Sequence, residues 1–167
     1  MGVTIHYEGR LILEKRALFQ AWLATQCEAL HWDLVISTQM SLPSGFLRRY
    51  FKPAAERPVF AVRPHVDCEP LIFDFDYDWK MASWVKTSFA PTNIHVAIVG
   101  LLKGLKDYFV GFQIVDEGEF AETNDLDLLE KNRAAFFKML EAMIAKGAKG
   151  PIKLDNGRIV DCIHPKK

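Results

Sequence analysis

The sequence predicts an α+β fold: one two-layer domain over residues 1–167, a mainly antiparallel sheet with about three helices packed chiefly on one face, closed by a C-terminal β-hairpin. Three observations predict it. Strand-like segments come in runs instead of alternating one for one with helices, which disfavours a doubly wound parallel sheet. Ile94, Ala97, Ile98, Leu101, Leu102 and Leu105 recur at three- and four-residue steps, marking one strong amphipathic helix. Asp155-Asn156-Gly157 interrupts Ile152–Val160 with a tight-turn signal.

The elements follow in order. Val3, Ile5 and Tyr7 alternate with Thr4, His6 and Glu8, the period of a half-buried strand, and Gly9 is expected to break it. A helix is expected over 14–30, its buried stripe formed by Leu18, Ala21, Trp22 and Ala29 and widened by Phe19 and Leu23. Residues 34–38 read as a strand, and Ser41, Pro43, Ser44 and Gly45 then open a loop that runs to Pro58. Residues 59–63 and 71–77 read as two strands of a hairpin, with another strand expected over 84–88. Thr92 or Asn93 is placed to cap the strong helix, whose stripe extends to Phe109. A strand over 112–115 ends in the acidic turn Asp116-Glu117-Gly118-Glu119. Thr123 or Asn124 caps a last helix with Leu126, Leu129, Phe136, Phe137, Leu140 and Ile144 inward, and Gly147 ends it.

Half of the 167 residues are hydrophobic and a quarter are charged, enough to bury a core without disulfides. Twenty-one basic residues balance 21 acidic ones, so no net field draws nucleic acid or an anionic membrane. A local patch at Arg48, Arg49 and Lys52, interleaved with Tyr50 and Phe51, is the nearest approach to a nucleic-acid groove, and loop arginines of this kind are ordinarily just solvated. Cys27, Cys68 and Cys162 lie far apart with no C-x-x-C pair. With no leader-like start and no apolar run of about 20 residues, the expected compartment is a reducing cytosol.

The sharpest chemical signal is Asp74-Phe75-Asp76-Tyr77-Asp78. In a strand Asp74, Asp76 and Asp78 would form an acidic row, with same-face neighbours about 7 Å apart, too far for all to reach one small ion without a bend. The row is therefore a weaker candidate that could hold a cation in a pair or bridge mode, or simply an acidic solvent-facing row. A calcium loop would need glycine and glutamate where Trp79 and Val85 stand. His6 and Glu8 share one face of the first strand, a start for a metal site. His95 falls in the first turn of the strong helix, a position suited to a ligand, to a general base or to plain packing. Asp116, Glu117 and Glu119 follow a strand, and Gly118 permits a turn that could converge them on a divalent metal.

No nucleophile elbow, phosphate loop, dinucleotide fingerprint or H-E-x-x-H motif is present. The paired His-x-hydroxyl of a two-histidine phosphoesterase is absent too, since Asp67 and Ala97 stand two after His65 and His95. No residue is therefore assigned a catalytic role from sequence. Two functions fit: a cytosolic binding or interaction protein with Tyr50, Phe51, Trp79 and Trp84 as its contact surface, or a metal-assisted hydrolase using His6 or His95 with Asp116, Glu117 or Glu119. The expected partner is a protein or small-molecule ligand, with a homodimer left open and a membrane excluded.

Thr4-Ile5-His6-Tyr7, Gly9-Arg10-Leu11, Trp32, Lys86-Thr87-Ser88-Phe89-Ala90, Ile94-His95 and Asp116-Glu117-Gly118 together resemble a family of small bacterial proteins with no assigned function. The resemblance reaches to about residue 145 and implies no activity or cofactor. It directs attention to His6, His95 and the acidic turn.

Overall fold

In the computed structural model, residues 3–37 and 57–163 are described. The order is β1 (Thr4–Leu11), a 3-10 turn (Leu13–Lys15), α1 (Arg16–Leu30), β2 (Asp33–Ser37), β3 (Val59–Arg63), β4 (Leu71–Phe73), β5 (Lys80–Lys86) and α2 (Thr92–Lys103). A second 3-10 turn (Gly104–Asp107) leads into β6 (Phe109–Asp116), α3 (Phe120–Thr123), α4 (Leu126–Ala145), β7 (Ile152–Lys153) and β8 (Ile159–Val160). This is the α+β class, with its strands in three small antiparallel sheets, β5-β1-β6, β2-β3-β4 and the C-terminal β7-β8 hairpin.

Alternation along β1 turns Ile5 and Tyr7 inward and His6, Glu8 and Arg10 outward. The inward row meets α1 and α2 through Phe19, Leu23, Ile98, Leu101 and Leu102, all in one buried cluster. Phe19 is its hub, with the rings of Phe60, Phe73 and Phe109 centred 5.4, 5.7 and 5.4 Å away. Tyr7 joins two sheets: its hydroxyl donates to the Ile72 carbonyl (3.0 Å) and accepts the Ile72 amide (2.9 Å). Burial pushes that phenol up to about 12, so the hydroxyl keeps its proton. A second cluster, Val3, Leu129, Phe136 and Leu140, seats α4.

Several expectations are corrected. Gly9 does not end the first strand, because β1 continues through it opposite a register shift in β6, where Gly111 at φ +64° makes a bulge. The buried stripe of α1 is Phe19, Leu23 and Cys27, while Leu18 points to solvent. Pro91, not Thr92 or Asn93, stands at the N-cap of α2, and the Thr92 hydroxyl instead donates to Glu130. Phe109 opens β6 and is no part of α2. Asp125, rather than Thr123 or Asn124, caps α4 by accepting the Leu128 amide at 3.0 Å. In the same helix Leu126 and Ile144 are exposed.

The strand expected over 71–77 stops at Phe73. Asp76 Oδ1 accepts the amides of Asp78 and Lys80, each at 2.8 Å, and wraps the chain into a turn completed by Trp79 at φ +59°. Side-chain acceptors here outcompete the ladder. The C-terminal turn also differs from the expected two-residue form: only Gly157 (φ +84°) takes a positive φ, and Leu154 and Arg158 close a three-residue loop.

Candidate functional site

The start of β1, the segment after β5, the first turn of α2 and the end of β6 meet at one polar knot. His95 Nε2 lies 2.9 Å from Asp116 Oδ2, and His95 Nδ1 lies 2.7 Å from the Thr87 hydroxyl. Burial pushes the Asp116 carboxyl up, but the His95 ring and the amides of Gly118 and Ala121 outweigh it and hold the group below its ordinary value. A carboxylate only accepts, so Nε2 carries the proton it donates. The one proton of the Thr87 hydroxyl sits between Nδ1 and the Val3 carbonyl, 3.0 Å away.

Carboxylate, imidazole and hydroxyl in line are the parts of an activated nucleophile. Here they are sealed. Thr87 and His95 are 0 % exposed and Asp116 4 %. The Ser88 hydroxyl beside them accepts the Val3 amide, and Arg133 of α4 closes the roof by donating to the carbonyls of Thr87 and Ala90. Every polar atom is turned to holding β1, β6, α2 and α4 in register. The histidine that sequence offered as ligand or base is a buried hub, and Thr87 and Arg133, its neighbours, were not signalled by spacing.

The candidate metal residues do not gather. His6 and Glu117 pair on the outer face of the sheet at 3.7 Å, half exposed, while His95 and Asp116 pair on the inner side. Glu119 is exposed, at the αL residue preceding α3. Among the described residues no three His, Cys, Asp or Glu side chains come together as metal ligands. His6 with Glu117 and His95 with Asp116 thus form two separate pairs. Asp74, Asp76 and Asp78 do not form a row either, because Asp76 is engaged in its turn and the chain bends around it.

A different site lies on the outer face of β5-β1-β6, where exposed side chains stand in three tiers. Trp84, His6 and Val115 form the first, Ala82, Glu8 and Gln113 the second, and Lys80, Arg10 and Val110 the third. Small Ala82 between Trp84 and Lys80, and Gly111 at the bulge, leave a groove along β1. Two clefts of about 610 and 300 Å³ adjoin here, with Glu8 and Ala82 in the lining of both. Its lower part is floored by Phe75 and Met81 and walled by Asp74, and its upper part ends at Trp84.

Arg10 and Lys80 are direct partners across two strands, a like-charge placement that is unfavourable by itself. Among the described residues the side chains of Glu8, Arg10 and Lys80 make no hydrogen bond or ion pair with the protein. Burial raises Asp74 above its ordinary range, partly offset by the Phe75 amide.

Of the expected contact aromatics, Trp84 is 47 % exposed, with the Arg158 guanidinium 4.4 Å over its ring. Trp79 is half buried against Phe75. Tyr50 and Phe51, like Arg48, Arg49 and Lys52, lie outside the described residues.

A larger cleft, about 730 Å³, runs between β2-β3-β4 and the C-terminal hairpin. In its walls Asp33 stands across from Arg63 in the β2-β3 register, and Lys153 donates to the Val66 carbonyl. Cys68 lies in it, and burial reinforced by Glu69 pushes that thiol up to about 12. Cys68 should accordingly resist iodoacetamide in the native protein at pH 7.5, as should Cys27, raised by burial. Mass spectrometry after labelling with and without denaturant checks this, and native labelling of either cysteine would contradict it.

Among the described residues no helix is long and apolar enough to cross a membrane. Comparison with protein-family models, with curated proteins and with solved structures finds no match. The chemistry of the site alone carries the functional reading.

Proposed function

We propose that the protein is a small, single-domain binding protein of the bacterial cytosol, without catalytic activity, whose ligand surface is the groove on the open face of β5-β1-β6. The observation that supports this reading is the set of charged side chains without a partner among the described residues, Glu8, Arg10 and Lys80, lining adjoining clefts beside exposed Trp84. The buried Thr87-His95-Asp116 chain, by contrast, has its groups satisfied internally and presents no nucleophile to solvent.

A thermal-shift screen of small metabolites against the wild type tests the proposal. Ligands should raise the melting temperature, and the rise should disappear in an Arg10→Gln/Lys80→Gln double variant while persisting in Thr87→Val. Ligands indifferent to the groove variant and lost with Thr87→Val would move the site to the buried chain and refute the reading.

A further inference from the structure

The groove's charges are of both signs and are spaced along one strand, which restricts what can fill it. Glu8 and Arg10 project from the same face of β1, two residues apart, so their tiers lie about 7 Å from each other. Lys80 strengthens the positive tier from the neighbouring strand, and Asp74, from the loop after β4, adds a carboxylate to the same cleft. Asp76 also lines this cleft with its carboxylate, whose charge the amides of Asp78 and Lys80 on its Oδ1 partly offset, leaving Arg10 and Lys80 as the excess on the positive side. A simple anion would meet Glu8 and Asp74, and a simple cation would meet Arg10 and Lys80. A molecule with both charges, set about 7 Å apart, satisfies each tier, and that is the span of a dipeptide at about 3.3–3.6 Å per residue. Ala82 and Val110 offer apolar surface for its side chains.

Resting on the binding reading above, we infer that the groove takes a short zwitterionic peptide, its carboxylate on Arg10 and Lys80 and its ammonium at Glu8 and Asp74. Charge-assisted hydrogen bonds at both ends make recognition depend on both termini being free. The site is a two-ended clamp for peptide termini on the outer face of the sheet.

Titration of Ala-Leu, N-acetyl-Ala-Leu and Ala-Leu amide into the ¹⁵N-labelled protein tests this. Ala-Leu should shift the amides of Glu8, Arg10, Lys80 and Ala82 saturably, and each blocked form should bind at least about tenfold more weakly. Arg10→Gln should weaken Ala-Leu while leaving the amide form unchanged, and Glu8→Gln should weaken Ala-Leu while leaving the acetyl form unchanged. These residues are exposed, and an unchanged melting temperature shows that a variant has kept its fold. Equal binding of free and blocked peptides would overturn the inference. So would silence of the groove toward Ala-Leu while other metabolites from the screen titrate into it, a result that leaves the binding reading standing. A groove that responds to nothing removes both.

Discussion

Asp116→Asn should destabilise the fold by about 3 kcal/mol, since it takes away the carboxylate oxygen that the buried His95 ring N–H and the Ala121 amide share, at about 1–3 kcal/mol for each buried donor left unsatisfied. For a chain of this length that is a fall of roughly 6–12 °C in melting temperature. The side chain is fully enclosed and touches three elements: it takes the His95 ring of α2, the Gly118 amide of its own turn and the Ala121 amide of α3. Asparagine keeps one acceptor oxygen but turns an amide group toward donors that need an acceptor.

The pH dependence has a definite sign. The folded carboxyl titrates below the ordinary aspartate value, so its contribution is present above the unfolded value of about 3.9 and is lost as pH falls through the folded one. The variant should lose stability at neutral pH and show a shallower decline on acidification. Chemical denaturation between pH 3 and 8 measures both. Thr87→Val, which leaves Nδ1 facing a methyl group, should cost about 1–3 kcal/mol. A neutral-pH cost below about 1 kcal/mol for Asp116→Asn, within the range of an ordinary surface change, would mean that the knot does not hold the fold.

Glu69→Ala should release the C-terminal hairpin. This glutamate is 2 % exposed, and its carboxylate accepts the Lys86 amide (3.0 Å), the Ile159 amide (2.7 Å) and the Arg158 guanidinium (3.0 Å). The hairpin itself has only two paired residues in each strand and a three-residue loop, too little to persist alone. Other ties are weaker: Lys86 donates to the Ile159 carbonyl and sits 3.0 Å from Asp161 as an ion pair without hydrogen-bond geometry. Truncation takes the acceptor from two amides and from a partly exposed guanidinium that keeps its bond to the Trp84 carbonyl, at a cost of about 3 kcal/mol, which appears locally because the hairpin can swing into water. Amide exchange over residues 152–163 should accelerate about 100-fold, with α1 and α2 much less affected. Uniform acceleration across the chain would show instead that the hairpin is integral to the core. Glu69→Gln, which retains an acceptor for Ile159, should fall between.

The fold was legible where one pattern had one reading. The alternation of Val3, Ile5 and Tyr7, the three- and four-residue steps from Ile94 to Leu105, and Asn156-Gly157 each point to one element, and each is present. It was misread where two patterns coexist. Leu18 and Phe19 each head a stripe at helical spacing, and what selects Phe19 is the ring cluster of Phe60, Phe73 and Phe109, brought from three other strands. Alternation in Asp74–Asp78 looked like a strand because nothing local announces that Asp76 will take two amides from its own turn.

The site was harder for the same reason. His6, His95, Asp116 and Glu117 were all picked out, but neighbouring residues on a strand face opposite ways, so Asp116 and Glu117 were bound to part and each took a different histidine. Arg10 and Lys80 stand 70 positions apart, and only the register of β1 against β5 makes them neighbours. Thr87 could be related to His95 only once β5 and α2 were placed.

Backbone-assigned ¹H–¹⁵N spectra recorded with a library of small molecules of mixed charge test the central claim most directly. The account predicts that saturable shifts cluster on Glu8, Arg10, Lys80, Ala82, Trp84 and Gln113, with Thr87, His95 and Asp116 moving little. Ligands that shift Thr87, His95 and Asp116 and spare the outer face of the sheet would contradict it.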